Sequence, residues 1–220
     1  MITYEQIKND VSICTYIKKA DESLNALGFT EHSFAHVTRV AVMAGHILKT
    51  LGYPERMVEL TKIAGFLHDI GNLVNRSDHS QSGAILAFQL LNERGMDPAE
   101  ISMIVSAIGN HDEGTGVPVS AMAAAIILGD KSDVRRSRVR DAKKVDGSDI
   151  HDNVNYSVTK SDIIISEDKS SLTLKLELDT EFSAVMDYFE IFLKRMIMCR
   201  GAARKLGMTF KLNVNGQLLL

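Results

Sequence analysis

The sequence predicts a mainly α-helical body, a helical bundle, that carries a small C-terminal α+β subdomain. Three observations carry this expectation. Up to about residue 134, apolar residues recur at helical spacing between clear start and stop signals. At about residue 135 the pattern breaks into a basic burst, Arg135, Arg136, Arg138 and Arg140, followed by a polar stretch. Further on, Leu172, Leu174, Leu176 and Leu178 alternate with polar residues, the period of a strand with one buried face. The expected organisation is a helical domain over residues 1–134, a basic and polar connector over 135–153, and an α+β subdomain over 154–220.

Each element has a local reason. In the helix expected over about 30–52, Val37, Val40, Ala41, Ala44 and Ile47 share one face. Pro54 opens the next helix in its first turn, and Met57, Leu60, Ile63 and Leu67 lead on to Gly71. A third helix covers about 80–94 and stops at Gly95. Asp97, Pro98 and Glu100 read as the N-cap, first-turn proline and capping-box acid of a fourth, which runs to about Gly109. The loop Gly114-Thr115-Gly116-Val117-Pro118 precedes Ser120, the cap of a fifth helix ending near Asp133. In the tail, residues 154–166 and 171–178 are expected to pair as a β-hairpin across Glu167-Asp168-Lys169. An amphipathic helix follows over about 181–206. There Phe182, Val185, Met186, Phe189 and Leu193 recur at three- and four-residue spacing, expected to press the helix against its sheet. A last strand pair is expected at 209–214 and 218–220, turning at Asn215-Gly216.

Composition narrows the function. Hydrophobic residues make up 45% of the 220, enough for a real core, and the net charge of -3 gives no electrostatic case for nucleic-acid or membrane binding. No apolar run approaches the roughly 18 residues needed to span a bilayer, and residues 1–10 are too polar for a signal peptide. Cys14 and Cys199 lie far apart and form no CxxC pattern. A reduced, cytoplasmic protein is the expectation.

Histidine carries the chemistry. His68-Asp69 ends a strongly apolar helix just before Gly71, where burying both side chains is costly unless something satisfies them. A divalent metal would do so, since imidazole and carboxylate are standard ligands for Mn, Fe or Zn. The doublet alone also fits an ordinary helix end. Its company argues for more: His36 on the preceding helix, His79 opening the following one, His111 after the fourth, and Asp130 late in the fifth. Ligands spread over successive helices are what a metal held inside a helical bundle requires. His32 lies one turn before His36, facing either the same pocket or solvent. His46 and His151 read as surface or loop residues.

In this order and spacing, His36, His68-Asp69 and Asp130 resemble the HD-domain phosphohydrolases, and the resemblance covers roughly residues 30–134. It implies that those four residues hold one metal ion. His79, in its His-x-x-x-Gly-Ala setting, and His111 look like the additional histidines of the binuclear branch, which includes HD-GYP cyclic-dinucleotide phosphodiesterases and diadenosine-polyphosphate hydrolases. Asp69 would then bridge two metals and be the central catalytic residue. Loop 114–118 echoes the glycine-tyrosine-proline loop of the HD-GYP group, with Val117 in place of the tyrosine. A single His111 between Asn110 and Asp112 stands where that group has two adjacent histidines, and Asn72 replaces a phosphate-holding lysine.

The resemblance implies hydrolysis of a phosphoester or phosphoanhydride in a phosphorylated small-molecule or nucleotide substrate by a metal-activated water. Two divalent transition metal ions are expected, Mn or Fe first, with Mg, Ni or Zn compatible. Lys131, Arg135, Arg136 and Asn72 are the candidates for holding the substrate phosphate, with Arg138 and Arg140 in the same basic burst. The alternatives are a cyclic-dinucleotide phosphodiesterase and a non-catalytic metal- or nucleotide-binding module. For the tail, a homodimer interface and a lid over the pocket are both open.

Overall fold

A computed structural model describes residues 1–140 and 150–219. Much of the expected connector, residues 141–149, and the terminal residue of the last expected strand lie outside that set. Two helices, α1 (Tyr4–Lys8) and α2 (Val11–Ala26), precede those marked in the sequence. The bundle continues through α3 (Phe34–Leu51), α4 (Glu55–Leu67), a 3-10 turn at Ile70–Leu73, α5 (His79–Glu93), α6 (Pro98–Gly109) and α7 (Ala121–Lys131). The signals read from sequence are present as contacts. Asp97 and Ser120 cap α6 and α7 through their side-chain oxygens, and Gly52 ends α3 in the left-handed conformation; the cap of α3 is Ser33, three residues later than the start expected near Thr30.

After the 3-10 turn Arg136–Arg138 come α8 (Ile150–Ser157), β1 (Val158–Ile165), β2 (Ser171–Leu178), α9 (Val185–Lys205), β3 (Thr209–Val214) and β4 (Gln217–Leu218). The fold is therefore mainly α with a small C-terminal α+β portion, as expected. Two boundaries differ by about four residues: α9 begins at Val185 and not near 181, and the first strand starts later than expected. Residues 154–157 form the end of α8 instead of the start of a strand, because Asn155 and Ser157 bond back to the carbonyls of His151 and Val154 while Val154 is buried. The sheet order is β1-β2-β3-β4, with β2 and β3 parallel and joined through α9, so the two hairpins are parts of one mixed sheet. No helix among the described residues is long and apolar enough to cross a membrane.

Packing brings the chemistry-bearing ends together. A Cβ at Gly65 would stand 2.9 Å from the Cα of Ala41, so α3 and α4 touch almost backbone to backbone below His36 and His68. At Gly71 a Cβ would collide with the His79 carbonyl oxygen and meet the Gly83 nitrogen at 2.5 Å. Glycine thus lets the turn after His68-Asp69 lie directly on the first turn of α5. On the far side α9 packs a stripe that includes Tyr188, Phe192, Cys199 and Ala202 against α7 and the sheet, and not the stripe expected from sequence: Phe182 precedes the helix, and Phe182, Met186 and Leu193 are exposed. Buried apolar residues from Tyr4 to Val214 join in one continuous cluster.

Candidate metal centre

The structure brings His36, His68, Asp69, His79, His111 and Asp130 into one buried site. His36 lies in the first turn of α3, His68 caps α4, Asp69 follows it, His79 opens α5, His111 follows α6, and Asp130 sits in the last turn of α7. Asp69 is at the middle and its two oxygens face different neighbours. Oδ2 lies 3.4 Å from both His36 Nε2 and His68 Nε2, while Oδ1 lies 3.5 Å from His79 Nε2 and 3.8 Å from His111 Nε2. Asp130 Oδ1 closes the first side, 3.4 Å from His36 Nε2 and 3.8 Å from His68 Nε2.

The other nitrogen of each ring is fixed from behind. Nδ1 of His68, His79 and His111 lies 2.7, 3.1 and 2.6 Å from the carbonyl oxygens of Gly65, Arg76 and Ile108. A carbonyl can only accept, so each Nδ1 donates and each Nε2 is left facing the centre. His36 is oriented in the same way by Asp133, whose Oδ2 lies 2.8 Å from Nδ1. This backing of imidazoles by carbonyls and a carboxylate is how proteins aim histidines at a metal. Nε2 of His36 and of His68 are buried and, among the described residues, have no hydrogen-bond partner, a costly state for a polar atom unless an ion satisfies it. Two sets, His36 with His68 and Asp130, and His68 with Asp69 and His111, have ligand atoms within 4.8 Å of one another and could each hold a metal.

The electrostatics of the two sides differ. Burial opposes charge on His68, yet the carboxylates of Asp69 and Asp130 raise its pKa to about 10. On the other side burial, with the nearby positive charges of His68 and Lys131, lowers His111 to about 3. His79 is likewise lowered, by burial first and then by Arg76 and Lys131. His79 and His111 are therefore neutral, and their two Nε2 acceptors face each other 3.2 Å apart. Burial also works against Asp69 and Asp130, but their histidine neighbours, and Lys131 for Asp130, hold both carboxyls well below the usual range.

Asp69 and Asp130 open onto a cavity of about 330 Å³ that is also lined by Arg76, Lys131, Arg138 and Arg195. The expected phosphate contacts are distributed unevenly around it. Lys131 lines the cavity and is held by Glu113 at 2.5 Å and Asp130 at 2.8 Å. Asn72 is turned toward Asp69, donating from Nδ2 to its backbone oxygen at 2.9 Å and to Oδ1 at 3.1 Å. The structure does not bring Arg135 or Arg136 to the cavity wall: Arg135 pairs with Asp133 and Glu31, and Arg136 with Asp179 over the rings of Tyr156 and Phe182.

Asp133 and Arg195 shape the site and were not picked out in the sequence, whereas Arg138 stood in the basic burst named for phosphate and His32 was placed toward either the pocket or solvent. Asp133 follows Asp130 by one helical turn, which was the available signal. Buried Arg138 donates from Nε to the Glu31 carbonyl and from Nη1 to the Asp133 carbonyl, and it lines the cavity. Arg195 reaches in from α9, bonded through Nε to Glu113 and stacked on Phe192; no local sequence pattern announces it. His32 is beside His36, ring against ring at 5.4 Å, and lines the cavity.

Comparison with known proteins agrees with this geometry. A family model described as HD domain matches residues 33–150. The chain is also similar to an uncharacterized protein of Methanocaldococcus jannaschii, 29% identical over 192 residues, with 77% of this chain and 73% of that protein covered.

Proposed function

The chain belongs to the HD-domain family, whose members are in general metal-dependent hydrolases, and we propose that it cleaves a phosphoester or phosphoanhydride of a small, nucleotide-like substrate at a two-metal centre. The observation that carries the two-metal reading is the facing pair His79 Nε2 and His111 Nε2, 3.2 Å apart beside Asp69 Oδ1. Two neutral acceptors and a carboxylate oxygen crowd together favourably around a cation. By the same reasoning His36, His68 and Asp130 would hold the first ion with Asp69 Oδ2, and Asp69 would serve both. When bound, divalent ions such as Mn or Fe supply a water that loses its proton near neutral pH and polarise a phosphoryl oxygen.

The chain's own residues do the rest. Asn72 restrains Asp69 from swinging between the two sides. Arg138 and Arg195 line the cavity from different parts of the chain, and with Lys131 they suit the oxygens of a phosphate group. The cavity volume of about 330 Å³ is at the lower end for small-molecule pockets, which favours a mononucleotide-sized substrate over a cyclic dinucleotide.

The test is a panel of nucleoside mono- and polyphosphates, a cyclic dinucleotide and a generic phosphate ester, assayed with Mn beside elemental analysis of the protein. Two equivalents of transition metal and turnover of the small substrates are expected. One equivalent or less at saturation would sink the two-metal reading. Turnover confined to the cyclic dinucleotide would favour that alternative, and none above an Asp69→Ala control would favour a binding module. Arg195→Ala is expected to raise KM roughly tenfold with a smaller change in kcat, the mark of a lost contact to substrate. An unchanged KM would remove Arg195 from the phosphate site.

A further inference from the structure

Helix α9 has two faces, and the mechanism uses one. Its inner face packs in the core and sends Arg195 to the cavity. Its outer face presents Met186, Glu190, Leu193, Ile197, Arg200 and Arg204, all exposed and spaced four, three, four, three and four residues apart. That is a single straight stripe about 27 Å long on a helix. Met186 is 73% exposed and Leu193 and Ile197 are each 51% exposed, so the apolar part is in water. An apolar groove of about 150 Å³ runs beside it, lined by Phe189, Leu193, Met196, Ile197, Arg200 and Leu219. Leu218 continues the patch at 61% exposure. A contiguous apolar surface of this kind marks an interaction site.

The order of residues along the stripe identifies the partner. It is acidic toward its N-terminal half, apolar in the middle and basic toward its C-terminal end. We propose that this face binds a second copy of the chain, with the two α9 helices antiparallel about a two-fold axis near residue 195. That axis sets Leu193 against the partner's Ile197 and Glu190 against the partner's Arg200. A two-fold interface must be complementary to itself, and this stripe is, with its acid set against its base and its apolar centre against itself. The antiparallel arrangement also sets each helix's positive end beside the other's negative end.

Light scattering and sedimentation of the full chain across a concentration series test this. A species of twice the 24.3 kDa mass is expected, dissociating on dilution. A mass of 24.3 kDa throughout would overturn the proposal. Ile197→Glu, at an exposed position and checked for an unchanged melting curve, should give monomer; a dimer indifferent to it would place the interface elsewhere and overturn the proposal. Glu190→Arg and Arg200→Glu should each weaken the dimer roughly tenfold, and the double exchange should restore it to within about threefold. Failure of the double exchange to restore would overturn the antiparallel pairing.

Discussion

Asp69→Ala is expected to lower kcat by at least about a thousandfold at saturating Mn and to reduce bound metal below one equivalent. The expectation rests on position. Asp69 is the residue whose two oxygens face both His36 with His68 and His79 with His111, at 3.4 to 3.8 Å. Removing it withdraws a ligand from both sides at once. It also leaves His68, whose raised pKa depends on this carboxylate, buried with less compensation. His79→Ala touches one side alone, so it should cost less activity and about one equivalent of metal. The comparison separates a shared ligand from a peripheral one. Asp69→Ala protein that kept a tenth of wild-type activity at saturating Mn would show that Asp69 is not the shared centre.

The sequence made the bundle legible where local rules decide the outcome. Caps such as Asp97 and Ser120 act within three residues, and the Leu172 to Leu178 alternation is a property of one strand. His36, His68, Asp69 and Asp130 were legible for another reason: a metal site recruits residue types that are costly to bury for any other purpose. What was not legible depends on contacts distant in sequence. The five residues of α1 are too few to show a period, and the parallel pairing of β2 with β3 is fixed by how α9 crosses between them. Val154 has β propensity, but burial against the bundle and the bonds of Asn155 and Ser157 keep that stretch helical. Among the arginines, sequence proximity to Asp130 found Arg138, which lines the cavity, but misplaced its neighbours. Arg135 and Arg136 neutralise local carboxylates, whereas Arg195, 65 residues beyond Asp130 in the chain, reaches the cavity.

Asp133 yields the other large effect, on stability and on metal together. Its carboxylate is fully buried and meets His36 Nδ1 at 2.8 Å, Arg39 Nε at 3.1 Å and Arg135 Nε at 2.8 Å, with Arg138 Nη1 at 4.0 Å. Burial alone would raise its pKa; His36, Arg138 and Arg135 overcome that and hold it well below the usual range. Asp133→Ala strips the negative charge from this cluster and leaves the buried guanidinium of Arg138 without its nearest carboxylate. A loss of about 3–5 kcal/mol is expected in urea unfolding. The sign of the pH dependence follows from the depressed pKa. Asp133 contributes its full stability above the unfolded carboxyl value near 4, and the contribution falls away as pH drops below it. The gap between wild type and Asp133→Asn should therefore be widest near neutrality and narrow toward pH 3. Asp133→Asn keeps the shape, so it isolates the second role. An amide that offers its NH2 to His36 Nδ1, or accepts more weakly through its oxygen, no longer fixes Nε2 on the metal, and Mn affinity should fall roughly 10- to 100-fold. Asp133→Asn with reduced stability but unaltered Mn affinity would make Asp133 a structural counter-charge and nothing more.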